Sequence, residues 1–223
     1  MATILKLKNI TKEFVEPRKN IVALNSVNFS LYDAQCVCLL GPSGSGKSTL
    51  LQIAGLLDNP TKGEIFINKK KCDHLSEENK NLIRKKYIGF VYQNFYLLDS
   101  FSALENIIIP QLINGSDFSS ARERAKELLS NMGLSKRLHN KPRELSGGEK
   151  QRVSILRAIA NRPKIILADE PTGNLDKKNT SNVISIIKDL VKQYKISFVI
   201  ATHNLSITKK FDKIIKLSEG KII

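Results

Sequence analysis

The chain has 223 residues, 41% of them hydrophobic and 26% charged, with 36 Lys and Arg against 21 Asp and Glu for a formal net charge of +15. That is the composition of a folded globular chain of one large domain or two small ones. No apolar run reaches the ~18 residues of a membrane span, and the N-terminus lacks the basic start and apolar block of a secretion signal, which argues against a spanning or secreted protein. The charge invites a nucleic-acid reading. However, 27 Lys, 9 Arg, 26 Ile and 18 Asn together look like an AT-rich codon bias, and the Lys residues are scattered. They read as a solvated surface, with an anionic membrane surface left open as a partner and no nucleic acid expected. The three cysteines, Cys36, Cys38 and Cys72, have neither disulfide-framework nor zinc spacing and read as small buried residues in a reducing compartment.

In chain order, Met1 to Leu7, Ile4 to Asn9, Val27 to Leu31 and Gly63 to Asn68 alternate like strands, and Cys36 to Leu40 is a short apolar run of the kind a doubly covered strand shows. A helix is predicted from about Ser48, with Leu50, Leu51, Ile53, Ala54 and Leu57 on its apolar side. The apolar run Ile107 to Ile109 is closed by Pro110. The middle is otherwise helical: a capping-box pattern at Ser120 to Glu123 predicts a helix over Ala121 to Met132 that ends at Gly133, and a second, Ser146 to Glu149, opens a helix to about Asn161. Strand Ile165 to Ala168, helix Asn182 to Tyr194 and strand Ser197 to Ala201 follow. Strands alternating with helices imply an α/β fold with a mostly parallel sheet, into which the helical middle is inserted.

Gly41-Pro42-Ser43-Gly44-Ser45-Gly46-Lys47-Ser48 fits the phosphate-loop pattern G-x-x-x-x-G-K-S, between a predicted strand and a predicted helix, with Thr49 beside it. Backbone N–H groups of such a loop curl around phosphate oxygens and the helix N-terminus adds positive potential. Lys47 reaches the β- and γ-phosphates, and the Ser48 hydroxyl is a ligand for Mg²⁺. Ile165 to Glu170 is an apolar strand ending in two carboxylates. Beside a phosphate loop, Asp169 would hold Mg²⁺ through water and Glu170 would orient and deprotonate the attacking water. A second anion site is written at Ser146-Gly147-Gly148, at a helix start. One chain needs one such site for one ATP, so the second makes sense facing ATP held by another subunit.

Leu145-Ser146-Gly147-Gly148-Glu149 resembles the signature of ATP-binding cassette (ABC) ATPases, and the likeness runs from Leu5 to Gly220 with every motif once and in order. The resemblance implies a P-loop NTPase with a RecA-like core, an N-terminal antiparallel β subdomain and an inserted α-helical subdomain. The chain would be one ABC ATPase domain, residues 1–223, with its core over about 1–93 and 160–223 and the helical subdomain over about 94–159. It implies ATP hydrolysis with Mg²⁺ and a head-to-tail dimer closing on two ATP molecules. It also assigns Gln93 to the glutamine that senses Mg²⁺ and γ-phosphate, Asp176 to the D-loop, His203 to the switch histidine, and Phe14 to the aromatic that stacks on adenine, where Tyr is commoner. Asp33-Ala34-Gln35 departs from the family's usual Gly, and a local turn difference is expected there.

Within the family, Phe90 to Asn106 is similar to the ATPases of bacterial lipoprotein-releasing systems; the alternatives are the ATPase of a macrolide or peptide exporter and an FtsE-like regulator of cell-wall hydrolases, whose ATPases are close relatives. This implies two separate transmembrane permease subunits docking on Tyr92 to Asn106, and a peripheral place at the cytoplasmic face of the inner membrane. No span and no regulatory domain are expected in the chain, nor the coiled-coil insertions or paired cassettes of ABC ATPases that act on nucleic acid.

Overall fold

In a computed structural model that describes residues 2–15 and 20–223, two sheets form. Met1 of the predicted first strand lies outside the described residues. The first sheet is antiparallel and has the order β2-β1-β4-β5, from β1 (Thr3–Val15), β2 (Asn20–Tyr32), β4 (Lys62–Ile67) and β5 (Lys70–Lys71). Its long strands alternate buried and exposed residues, so Leu5, Leu7, Leu24, Leu31, Ile65 and Ile67 form one apolar face. They run well beyond the predicted alternation because irregular positions interrupt the period of two: Asn9 and Ser26 have φ of 50° and 52°, and the pairing of β1 with β2 shifts register around them. The Asn28 side chain bridges this kink, accepting from the Asn9 backbone N–H at 3.0 Å and donating to its Oδ1 at 2.9 Å.

The second sheet has the order β10-β9-β3-β8-β7-β6, from β3 (Cys36–Leu40), β6 (Ile88–Tyr92), β7 (Ile165–Asp169), β8 (Ser197–Thr202), β9 (Lys213–Ser218) and β10 (Lys221–Ile222). All its pairs are parallel except β10 with β9. β3 matches its predicted bounds and is buried throughout, as an apolar strand covered on both faces must be. All three cysteines are free and buried. The turn before β3 takes the expected local difference: Ala34 stands at φ 54°, the conformation a Gly adopts without cost.

On one face α1 (Lys47–Ala54) packs with the antiparallel sheet; on the other lie α3 (Ala103–Ile113), α4 (Phe118–Asn131), α5 (Gly147–Ile159) and α6 (Lys177–Tyr194). Helix α2 (Glu77–Tyr87) precedes β6. Three expectations need correction. Leu57 lies beyond α1 and is exposed, because that helix stops at Ala54 with Gly55 as its C-cap. The helix expected from Ala121 starts three residues earlier: Asp117, not Ser120, is its cap, accepting from the Ser120 N–H, while Glu123 turns to Lys126. Helix α6 starts at Lys177, capped by Asp176, rather than near Asn182. The box at Ser146 is as expected, with its hydroxyl accepting from Glu149 N–H and the Glu149 carboxylate accepting from Ser146 N–H.

Helix α5 lies so close to β6 that a Cβ added at Gly89 would come within 2.3 Å of the Ala158 carbonyl oxygen. Gly89→Ala should push α5 off the sheet and cost about 1–3 kcal/mol, typical of overpacking, or a fall in Tm of roughly 2–4 °C per kcal/mol. Thermal unfolding followed by circular dichroism checks this; an unchanged Tm would mean that the contact yields without cost.

Candidate functional site

Parallel register brings four strand ends to one edge. Leu40 pairs with Thr202, Asp169 with Ala201, and Tyr92 with Asp169. The residues that leave these strands are Gly41, His203, Glu170 and Gln93, so residues more than 150 positions apart in sequence meet outside the carboxyl ends of the sheet, where α/β folds bind ligands.

A cavity of about 560 Å³ opens there, lined by Ser43, Gly44, Gly46, Lys47, Ser48, Thr49, Gln93, Asp169 and Glu170 among others. The loop from Gly41 to Gly46 is shaped by its glycines. Gly46 has φ of 101°, and a Cβ on it would come within 2.5 Å of the Ala23 carbonyl oxygen; one on Gly41 would meet the Leu217 carbonyl at 2.3 Å. The turn at Gly220 pins the loop to β2: its N–H donates to the Ser45 carbonyl at 3.1 Å and its carbonyl accepts from Asn25 N–H at 2.8 Å. Ser45 is buried with its hydroxyl unpartnered. Lys47 is also buried, and its ammonium donates to the carbonyls of Gly41 and Pro42 at 2.9 and 2.8 Å. A buried ammonium held only by carbonyl dipoles fits an anionic ligand.

Asp169 faces this loop. Burial pushes its carboxyl above the usual carboxylate range; the hydrogen bond with Ser48 pulls it back down, Glu170 pushes it up, and Lys47 pulls it down. Ser48, Asp169 and Gln93 supply a hydroxyl, a carboxylate and an amide oxygen to the same cavity, a hard oxygen set that fits Mg²⁺. Glu170 sits at φ 46° and is held from the next strand. Its Oε1 accepts from the His203 backbone N–H at 3.0 Å and lies 2.7 Å from His203 Nδ1, and its Oε2 accepts from the Thr202 hydroxyl at 3.1 Å. It lines both the phosphate-loop cavity and a neighbouring one of about 680 Å³ shared with His203. Gln93 donates to Asn174 Oδ1 at 3.2 Å, and Asn174 donates back to the Gln93 carbonyl at 3.1 Å.

The other candidates lie elsewhere. Ser146, Gly147 and Gly148 are outside both cavities; a Cβ on Gly148 would meet Asn179 Oδ1 at 2.6 Å. Asp176 caps α6, accepting from the N–H and the Nδ2 of Asn179 at 2.8 and 2.7 Å. Thus the signature turn and the start of α6 adjoin one another. Phe14 is 40% exposed on β1, paired in register with Ile21, with the Lys12 ammonium 5.0 Å from its ring centre. It does not line the cavity, whereas Ile21, Val22 and Ala23 of β2 do. The sequence motifs assign nothing to those three; Asn174 enters them only as the start of the D-loop run Asn174 to Asp176, and Thr202 only as the residue before His203, neither with a contact role of its own. The exposed apolar pair Ile21 and Val22 was the available signal; the other two are ordinary polar residues until their partners are placed.

Among known proteins, the family described as ABC transporter matches residues 24–173. The chain is 48% identical over 219 residues to the lipoprotein-releasing system ATP-binding protein LolD 1 of Rhodospirillum rubrum, spanning 98% of this chain and 97% of that one. It is 48% identical over 221 residues to the lipoprotein-releasing system ATP-binding protein LolD of Rickettsia bellii, with the same coverage. The fold is similar to a dimeric, post-hydrolysis structure of the ATP-binding cassette MJ0796 bound to ADP and phosphate, with a TM-score of 0.90 and 39% identity over 98% of this chain and 96% of that one.

The raised carboxyl of Asp169 yields a stability prediction. A group whose folded pKa is raised adds stability below its unfolded pKa and loses that contribution as pH rises through the folded value. Asp169→Asn removes the desolvated charge and keeps a partner for Ser48. At pH 7 the metal-free variant should be at least as stable as the wild type. Thermal melts in chelator check this; a loss of several degrees would show that the ionised carboxylate supports the loop.

Proposed function

The chain belongs to the ABC transporter ATPase family, and from that premise we propose that it powers release of lipoproteins from the inner membrane of a bacterium through two membrane permease subunits. It is an ATPase subunit of a lipoprotein-releasing ABC system, as its near full-length similarity to such proteins supports. Among the described residues no helix is long and apolar enough to cross a membrane. This fits a peripheral subunit working at the cytoplasmic face of that membrane through separate permeases.

The observation that carries the catalytic reading is the clamp on Glu170. ATP binds with its phosphates in the loop from Gly41 to Ser48, whose N–H groups and Lys47 hold the β- and γ-phosphates, and with adenine leaving the cavity past Ile21 toward its register partner Phe14. Ser48, Asp169 and Gln93 would hold Mg²⁺, which would supply positive charge against the phosphates. Glu170, aimed by Thr202 and His203, takes the proton of the attacking water. His203 keeps that carboxylate oriented. Ser146, Gly147 and Gly148 lie outside the chain's own phosphate cavity, so they serve the ATP of a second copy in a head-to-tail dimer. Asp176, at the adjoining helix start, takes part in the same contact. A dimeric arrangement is the one described for the MJ0796 cassette. The division into a core over about 1–93 and 160–223 and a helical lobe over about 94–159 gives this closure its two moving parts.

The segment Tyr92 to Asn106 is the docking surface for the permeases. Tyr96, Leu98 and Phe101 are 62%, 43% and 42% exposed, while Phe95 and Leu97 are half-buried. Arg157 of α5 donates to the carbonyls of Phe95 and Tyr96, and Ser154 to that of Phe95. The helix that starts at the signature therefore holds the docking loop, and ATP's preference for the closed dimer biases both together.

Two outcomes test this reading. Glu170→Gln should bind ATP but hydrolyse it ~10²–10⁴-fold more slowly, and ATP should then hold the protein as a dimer in sedimentation; an ATP-loaded monomer at high protein concentration would contradict the composite site. Leu98→Ser should keep the basal ATPase of the free subunit and lose stimulation by the permease pair. Equal stimulation of variant and wild type would place docking elsewhere.

A further inference from the structure

A cavity of about 500 Å³ in the helical region is lined by Asp99, Ser100, Lys141, Arg143 and Lys150. Three cations converge on it, and among the described residues none of the three side chains makes an ion pair. The carboxylates nearest in sequence are already engaged. Glu144 accepts from the Lys141 backbone N–H at 2.8 Å, and Glu149 accepts from Ser146 N–H and Arg137 Nε, both at 2.8 Å. Asp99, the acidic member of the lining, lies beyond ion-pair distance of all three.

The walls are held in place. The buried Asn106 accepts from Leu98 N–H at 2.8 Å and donates to the carbonyls of Leu98, Phe101 and Ser102 at 3.0–3.2 Å, which fixes the loop bearing Asp99 and Ser100. The opposite wall is tied to the start of α3, since Ala103 N–H donates to the Asn140 carbonyl at 2.9 Å and Leu104 N–H to that of Leu138 at 3.0 Å. The positive charge is therefore presented by a preorganised pocket, which lowers the ordering cost of whatever binds it.

We propose that this pocket receives a carboxylate-bearing cytoplasmic segment of the membrane partner, an electrostatic socket beside the apolar docking loop. The inference rests on the docking reading above. Continuity supports it, because Asp99 and Ser100 belong to both surfaces. Charge complementarity supports it too: three cations against one carboxylate in the lining of a concave site fit projecting Asp or Glu side chains. A concave site with Asp99 on its rim is poorly matched to the flat, uniformly anionic face of a bilayer. Because Lys150 lies in the second turn of α5, a carboxylate bound here also touches the signature helix.

The test is binding of the free subunit to its purified permease pair in phosphatidylcholine nanodiscs, for wild type, Lys141→Glu/Arg143→Glu and Leu98→Ser. Both substituted cations are exposed, so the double variant should keep the wild-type fold and basal ATPase. The milder Lys141→Gln/Arg143→Gln, which introduces no repulsion, should show a smaller effect in the same direction. Charge reversal should weaken binding on the order of tenfold or more and flatten its dependence on salt. A poly-glutamate decapeptide should compete with the pair for wild type and not for the double variant. Unchanged binding of both charge variants, with Leu98→Ser weakened, overturns the socket and leaves the docking loop standing. Unchanged binding of all variants overturns both. Loss by the double variant of binding to phosphatidylglycerol vesicles alone, with its affinity for the pair intact, assigns the pocket to lipid and also overturns the proposal.

Discussion

The hydrogen-bonded parallel register of β3, β8, β7 and β6 fixes where chemistry can occur in this chain. Because Leu40, Thr202, Asp169 and Tyr92 end at one level, the phosphate loop, His203, Glu170 and Gln93 emerge side by side. A slip of one residue in any pair would turn its side chains to the other face of the sheet. The fully buried apolar strands make such a slip costly, since Ile166, Ala168, Phe198 and Ile200 pack on one side while Leu167, Val199 and Ala201 pack on the other. Two separate cores thus guard a single edge.

That edge concentrates opposed charges at short range. Asp169 is desolvated and held by Ser48, Lys47 rests on loop carbonyls, and Glu170 is clamped by the strand that bears His203. Each group is fixed by burial or by hydrogen bonds within the fold, and groups fixed in that way need little reorganisation in a reaction. The signature turn is built the same way, with a capping box already closed at Ser146, but at a place its own phosphate loop does not share. These two half-sites on one chain are what the proposed head-to-tail pairing would bring together.

Much of this was legible in the sequence, for physical reasons. β3 and β7 are short unbroken apolar runs, and such strands show their burial directly. The phosphate loop, the paired carboxylates and the Ser146 box carry their geometry in their spacing. What escaped was what depends on partners far away. Helix α2 fully buries only Lys80 and leans on the core through just Ile83 and Tyr87, a stripe too short to stand out, and α3 runs through Pro110 where a break is the local expectation. Ser120 to Glu123 matched a capping box by composition, but Asp117 offered a carboxylate one turn earlier and won the N–H. The clamp of Thr202 and His203 on Glu170 joins residues 32 and 33 positions apart and has no local signature.

The central claim is that the signature of one copy meets the phosphate loop of another across ATP. It is tested most directly by mixing a subunit carrying Ser43→Cys with one carrying Ser146→Cys and adding a short thiol-specific cross-linker. The native cysteines are buried and should stay silent. The account predicts a covalent heterodimer that forms in the mixture with ATP and not without it. Cross-linking that ignores ATP, or no heterodimer under conditions where ATP is bound, would contradict it.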